Sequence, residues 1–266
     1  MAQRKTARNA AITPRRTARY GWLPDLPDHR DFAYAAPTAT LAVLPAAIDL
    51  RLQCPPVYDQ GQLGSCTANA IGGAVEFDQM KQKQPQPFVP SRLFIYYNER
   101  AMEGTVKQDA GAQIRDGVKS VNKLGAPPES LWPYNIAKFA QKPPAAAYTE
   151  ALKHQVLAYQ RVSRDLSQMK GCLASGYPFV LGFTVYESFE SAQVAKTGVL
   201  DMPARTEQVV GGHAVVAVGY TDKAQRFIVR NSWGSSWGQK GYFTMPYAYL
   251  LDSGLSSDFW TIRTVE

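Results

Sequence analysis

Behind Cys66 the apolar residues Ala68, Ala70, Ile71, Val75 and Met80 recur at helical spacing, which predicts one face of a buried helix. A polar, Pro-rich stretch over 82–90 ends it, and Ser91 then caps a second helix over 92–100 with Leu93, Tyr96 and Tyr97 at helical spacing. Residues 104–111 read as a loop. A third helix is expected over 113–123, with Ile114, Val118 and Val121 on one face and Gly125 as its stop. Pro127-Pro128 and Trp132-Pro133-Tyr134 make a rigid, irregular crossing, and the pattern turns helical again over 148–159 and 165–175. From Pro178 onward the character changes. Segments 180–186, 209–220, 227–231, 241–245 and 256–264 are rich in Val and aromatics, punctuated by Gly, and read as strands. Helices first and strands second predict an α+β protein of two lobes, helical over about 44–160 and β over about 161–266, with a binding cleft between them.

The first 43 residues differ from this body. Residues 1–20 hold Arg4, Lys5, Arg8, Arg15, Arg16 and Arg19 with no acidic residue, and they account for most of the formal net charge of +7. The remainder is nearly neutral, so the basic signal is a solvated tail and no nucleic-acid partner is expected. Tyr20, Trp22, Phe32 and Tyr34 stud the next stretch among Pro and Asp. Exposed aromatics cost solubility, so this arm is expected to lie in a groove on the body. Residues 37–45, small and Pro-flanked, suit a connector or a cleavage site. No run of about 18 apolar residues is present to span a bilayer, and the tail lacks the apolar core of a secretory signal; the localisation stays open.

Candidate chemistry gathers in three places. Gln60 stands six residues ahead of Cys66 in a loop carrying Gly61 and Gly64. A thiol in the first turn of a helix is favoured as the thiolate, and an upstream amide can aim donors at the same spot. The base and its orienting group come late, as Gly211-Gly212-His213-Ala214 and Asn231-Ser232-Trp233-Gly234. His29 and His154 read as surface or packing residues. Cys54 and Cys172 read as small buried side chains, with a bridge between them left open. There is no Cys/His cluster, so neither a metal nor a cofactor is expected.

Together these elements resemble the papain-like cysteine proteases, in which Gln, Cys, His and Asn follow in this order; here His213 and Asn231 stand 147 and 165 residues after Cys66. The resemblance extends from about Ala46 to the C-terminus and is greatest with bacterial members that share the Trp22-Leu23-Pro24-Asp25-Leu26-Pro27-Asp28 arm. It implies a two-lobed papain-like fold, with a helical N-terminal lobe, an antiparallel β-barrel-like C-terminal lobe and the active site between them. It implies an endopeptidase acting on protein or peptide substrates. Cys66 would be the nucleophile, His213 its acid–base partner and Asn231 the orienter of the imidazole. Gln60 would supply half of the oxyanion hole. Trp233 would shield the His–Asn bond and Trp237 wall the leaving-group side. Gly111 would offer backbone to an extended substrate, and Ala214 would line a pocket for it. Residues 1–43 would be a short propeptide able to inhibit the cleft, and 44–266 the peptidase domain. Two departures stand out: Leu63 replaces the Cys that normally forms a disulfide, and Thr67 replaces the aromatic after the nucleophile. Two rivals are a non-catalytic binding protein on the same fold and a thiol amidase or acyltransferase; internal cutting of peptides separates them.

Overall fold

The computed structural model describes residues 19–266, so the expectations for the basic tail before Arg19 lie outside the described residues. The N-terminal half contains β1 (Trp22–Leu23), α1 (Thr38–Ala42), β2 (Ala47–Asp49), α2 (Cys66–Lys81), α3 (Arg92–Glu103), β3 (Ala112–Gln113), α4 (Ile114–Leu124) and α5 (Ala145–Ala151). Then follow β4 (Val156–Arg161), α6 (Leu166–Ala174), β5 (Phe179–Tyr186), α7 (Ala192–Thr197), β6 (Val209–Thr221), β7 (Arg226–Arg230), β8 (Tyr242–Pro246), α8 (Tyr247–Leu251) and β9 (Ser256–Val265). The fold is α+β, as expected from the order of patterns.

One antiparallel sheet runs β4-β9-β5-β6-β7-β8, with β2 added beside β6. β6 is the hub: it pairs with β5, with β7 and with β2. Gly219 makes room for β2, since a Cβ there would lie 2.3 Å from the Ile48 carbonyl oxygen. Against this sheet packs α2, buried continuously from Cys66 to Gln79. The expectation of a single buried face was therefore too narrow, and Met80, assigned to that face, is 38% exposed. Small residues explain the tight fit: Gly73 brings the helix to 3.3 Å from Arg230 Nε, as measured from an ideal Cβ.

Local signals place most helix ends. The Ser91 hydroxyl accepts from Phe94 N at the start of α3, and Gly125 takes φ 72° at the end of α4. The helix expected over 148–159 is corrected. α5 stops at Ala151, and 156–161 forms β4 because β9 offers it a partner, with Asn122 Nδ2 donating to the Val156 carbonyl at 2.6 Å. The 37–45 connector contains the short helix α1, which buries none of its residues. None of the three cysteines forms a disulfide, so Cys54 and Cys172 are not bridged.

The arm docks as the aromatics suggested, with Trp22 and Tyr34 buried; Phe32, also expected in the groove, is 67% exposed and touches only the edge of Tyr159 among aromatic rings. β1 pairs in parallel with β3. Three carboxylates and two guanidiniums root it. Arg115 donates to Asp31 at 2.6 Å and Arg161 bridges Asp31 and Asp258 at 3.1 and 3.0 Å. Asp25 accepts from Trp260 Nε1 at 2.9 Å and from Arg115 N at 3.0 Å. With one carboxylate in excess, a bound proton neutralises the group. Burial first, and then the charge of Asp258, push Asp25 up to about 7.

That value lies above the ~3.9 of an unfolded Asp, so between the two the folded chain holds a proton the unfolded chain lacks. Stability should therefore fall as pH rises through about 7, and Asp25→Asn should make the slope shallower. Denaturant midpoints between pH 5 and 8 check this; an unchanged slope in the variant would refute the assignment.

Candidate active site

The loop before α2 lies against the residues after β7. Gln60 N donates to the Ser232 carbonyl at 2.9 Å, and Gly234 N to the Tyr58 carbonyl at 2.9 Å. Asp59 Oδ1 accepts from Gly61 N at 2.9 Å, which closes a turn that Gly61 enters at φ 61°. Cys66 therefore opens α2 facing the sheet, with Ser65 as the preceding cap residue.

His213 lies on β6 opposite Phe183 of β5, fully buried. Its Nε2 meets Asn231 Oδ1 at 2.8 Å, which commits that nitrogen and leaves Nδ1 for proton exchange. Asn231 Oδ1 also accepts from Ser232 N at 2.8 Å, fixing the amide's orientation. Trp233 covers the pair, its ring 5.1 Å from the imidazole and tilted by 30°. Trp237 meets Trp233 edge-on at 5.2 Å and Phe189 at a tilt at 5.5 Å.

The arm passes through this group. The Gln60 side-chain amide donates to the Arg19 carbonyl at 2.8 Å, and the Arg19 guanidinium lies 4.6 Å over the Trp233 ring. Tyr20 meets His213 edge-on at 5.7 Å, within electrostatic reach of Cys66. Gly21 accepts from Ala112 N at 2.7 Å. No side chain fits there: a Cβ on Gly111 would lie 2.0 Å from the Gly21 oxygen, and one on Gly21 would lie 1.8 Å from the Gly64 oxygen. Trp22 then covers Gly182 and Gly212, which lie on the same sheet face as Ala214. Its indole donates to Asp258 at 3.1 Å. Buried beneath the arm, His213 is pushed down to about 4; the Asn231 bond opposes the shift, and the Arg19 charge adds to it. The imidazole is neutral in this state.

The sequence profile of the papain family cysteine proteases matches residues 44–258. The chain belongs to that family. A peptidase C1-like protein of Acanthamoeba polyphaga mimivirus is 44% identical over 270 residues, covering 92% of this chain and 87% of its own length. Xylellain, a cysteine protease from Xylella fastidiosa, has a crystal structure that superposes with a TM-score of 0.90 at 42% identity, covering 96% of this chain and 99% of its own. Cathepsin K of Gallus gallus is 30% identical over 207 residues, covering 74% of this chain and 58% of its own length.

His213, Asn231 and Trp233 lie together, Gln60 is bonded to Ser232 beside them, Trp237 packs alongside, and Cys66 opens α2 behind the Gln60 loop. Gly111 and Ala214 flank the arm. Sequence reading overlooked three groups. Ser232, within the recognised Asn-Ser-Trp element, donates its hydroxyl to Gln60 Oε1 at 2.6 Å and so turns the amide nitrogen towards the cleft. Asp109 accepts from Gly64 N at 3.0 Å and from Tyr96 at 2.5 Å, and Tyr96 in turn accepts from Gly111 N at 3.2 Å. These bonds tie the nucleophile loop to the β3 wall beside Leu63, where the family disulfide is missing. Asp258 and Glu190, which receive arm donors, carried no local signal.

Asp109→Ala leaves Tyr96 and the Gly64 amide without their acceptor, and should cost ~1–3 kcal/mol of stability. Tyr96→Phe should cost ~1 kcal/mol, and the two losses should not add in the double variant. Thermal or denaturant unfolding reads both; full additivity would mean the two residues act independently.

Proposed function

We propose that this cysteine peptidase is an endopeptidase made as a zymogen, with residues 1 to about 43 as a pro-arm and 44–266 as the catalytic body. The observation that carries the reading is the Arg19 carbonyl on the Gln60 amide with Tyr20 against His213: the arm occupies the groups that a substrate peptide would need. Residues 19–22 run from Trp233 to Ala112 across these groups as extended chain, the form in which an internal stretch of a peptide would lie there.

With the arm withdrawn, the Arg19 charge leaves and water reaches His213, so its pKa rises back towards ~6.5. The Cys66 proton can then pass to Nδ1, giving a thiolate–imidazolium pair that titrates as a unit. The thiolate attacks the scissile carbonyl carbon, and the developing oxyanion takes a hydrogen bond from Gln60 Nε2 and another from the Cys66 backbone N–H. Nδ1 returns its proton to the leaving amine as the C–N bond breaks, leaving a thioester on Cys66. His213 then deprotonates water, which attacks the thioester carbonyl and frees the acid product and the thiol. Asn231 holds the ring in line throughout, and Trp233 keeps water from the His–Asn bond. Trp237 walls the leaving side, Gly111 pairs with substrate backbone and Ala214 lines the acyl-side pocket. The arm thus inhibits twice, by filling the cleft and by holding His213 neutral.

Full-length protein, Cys66→Ala and Trp22→Ala should be compared on a dipeptidyl fluorogenic substrate and on an internally quenched peptide. Turnover should vanish in Cys66→Ala and rise about tenfold when Trp22 no longer anchors the arm. Gln60→Ala in the Trp22→Ala background should lower kcat by ~10²–10³. Thiol-independent turnover, or none in any form with Cys66 intact, would refute the reading.

A further inference from the structure

Trp132-Pro133-Tyr134, the rigid crossing in mid-chain, reaches the loop that carries the nucleophile. It is tied to the start of α3: Ser91 N donates to the Pro127 carbonyl at 2.8 Å, and the Ser91 hydroxyl to the Trp132 carbonyl at 2.6 Å. The Arg92 guanidinium lies 4.1 Å over the Tyr134 ring and is itself held by Glu129 at 2.7 Å. The phenol therefore has a fixed place.

Its hydroxyl meets both ends of the loop. Tyr134 donates to the Gln60 carbonyl at 3.0 Å. A phenol has one proton to give, so Ser65 Oγ, 2.5 Å away, is the donor to Tyr134. Asn69 Nδ2 donates to Ser65 Oγ at 3.1 Å, and Arg92 Nη1 donates to Asn69 Oδ1 at 3.0 Å. Every proton in this chain points one way, from the guanidinium to the Gln60 carbonyl, so each bond polarises the next. Arg92 Nη1 also donates to the Asp59 carbonyl at 3.2 Å, which returns the chain to the loop. Ser65 is fully buried, and burial pushes the Tyr134 phenol up, so the phenol keeps its proton.

Gln60 and Cys66 are the residues whose N–H groups meet the oxyanion in the acyl transfer described above. Ser232 orients the Gln60 amide. The span from there to the Cys66 N–H crosses a loop with Gly61 and Gly64, and the Tyr134 hydroxyl bridges it from the Gln60 carbonyl to Ser65, the residue bonded to Cys66. A misplacement of about 1 Å between groups that must act together costs about a hundredfold in rate.

We propose that Tyr134 is a positioning residue for the oxyanion hole: its hydroxyl fixes the separation between the Gln60 amide and the Cys66 backbone N–H. This rests on the protease reading above. Ground-state binding and alkylation of the thiol form no oxyanion, so both are spared when the hydroxyl is lost.

In the full chain carrying Trp22→Ala, Tyr134→Phe keeps the ring beneath Arg92 and removes the hydroxyl. On an internally quenched peptide kcat should fall about ten- to a hundredfold, with KM within about twofold. Iodoacetamide labelling of Cys66, followed by peptide mapping from about pH 5 to 9, should keep its rate and pH profile within about twofold. Ser65→Ala cuts the same bridge at its other end and should give the same split. In a Gln60→Ala background, Tyr134→Phe should cost no more than about threefold, because the donor it places is already gone. Equal slowing of cutting and labelling would make Tyr134 a support of the thiolate or of the fold, and would overturn the proposal. An unchanged kcat in both variants, or full multiplication of the Gln60 and Tyr134 losses, would overturn it too, with the protease reading intact. No cutting by the Trp22→Ala parent sinks the protease reading and the positioning role with it.

Discussion

A peptide backbone runs between two walls that leave no room for a side chain, and this constraint organises the cleft. Gly64 closes one side and Gly111 the other, and Gly21 of the arm fits between their backbone atoms. Gly182 and Gly212 continue the channel as a flat platform under Trp22. A methyl group on Gly21, Gly111, Gly182 or Gly212 would fall within van der Waals radii of backbone or indole. The chemistry-bearing residues stand at the edges of this channel, so whatever threads it is presented to Cys66, His213 and Gln60 together. Hydrogen bonds to the threaded backbone, from Ala112 on one side and Gln60 on the other, set its height above the nucleophile.

Holding those walls apart by a fixed distance falls to polar side chains. Asp109 and Tyr96 link Gly64 to Gly111 by hydrogen bonds. Arg100 sets the loop between them, donating to the carbonyls of Val106 and Gln108 at 2.9 Å with its guanidinium 3.9 Å over the Tyr96 ring. A brace of this kind is indifferent to thiol redox state, as a disulfide is not. Below the nucleophile a second polar contact, Thr67 to the buried Glu99 at 2.5 Å, stands where the family places an aromatic.

Electrostatics accompany the docking of the arm. Burial pushes the His213 imidazole down to about 4, and the Arg19 charge acts in the same direction. Further along, Asp25 and Asp31 of the arm meet Arg115, Arg161 and Asp258 of the body, all buried except the half-buried Arg161. Separating them would leave two guanidiniums with one carboxylate, which is costly because the loss of one member of a buried pair strands the other. The arm is thus held much as an element of the core is held, although its last residues before the body cover little.

Much of this was legible in the sequence. Periodicity and caps located α2, α3, α4 and α6 and the five main strands, because those signals act within a few residues of where they are read. The spacing of Gln60, Cys66, His213 and Asn231 pointed to the family, since the loop before α2 and two late elements carry those residue types in the family's order. Other features needed the folded chain. Val156–Arg161 became a strand through β9, overriding a helical pattern. Ser232 orients Gln60 across 172 residues of sequence, and Asp109, Asp258 and Glu190 acquire their roles from partners that folding brings to them. The aromatics of the arm announced that it would be buried, and only the tertiary structure decided where. The sequence by itself determined which chemistry the chain carries, because local preference and motif spacing are written in neighbouring residues. The path of the arm across the site was decided by contacts between segments far apart in the chain, and no local pattern encodes those.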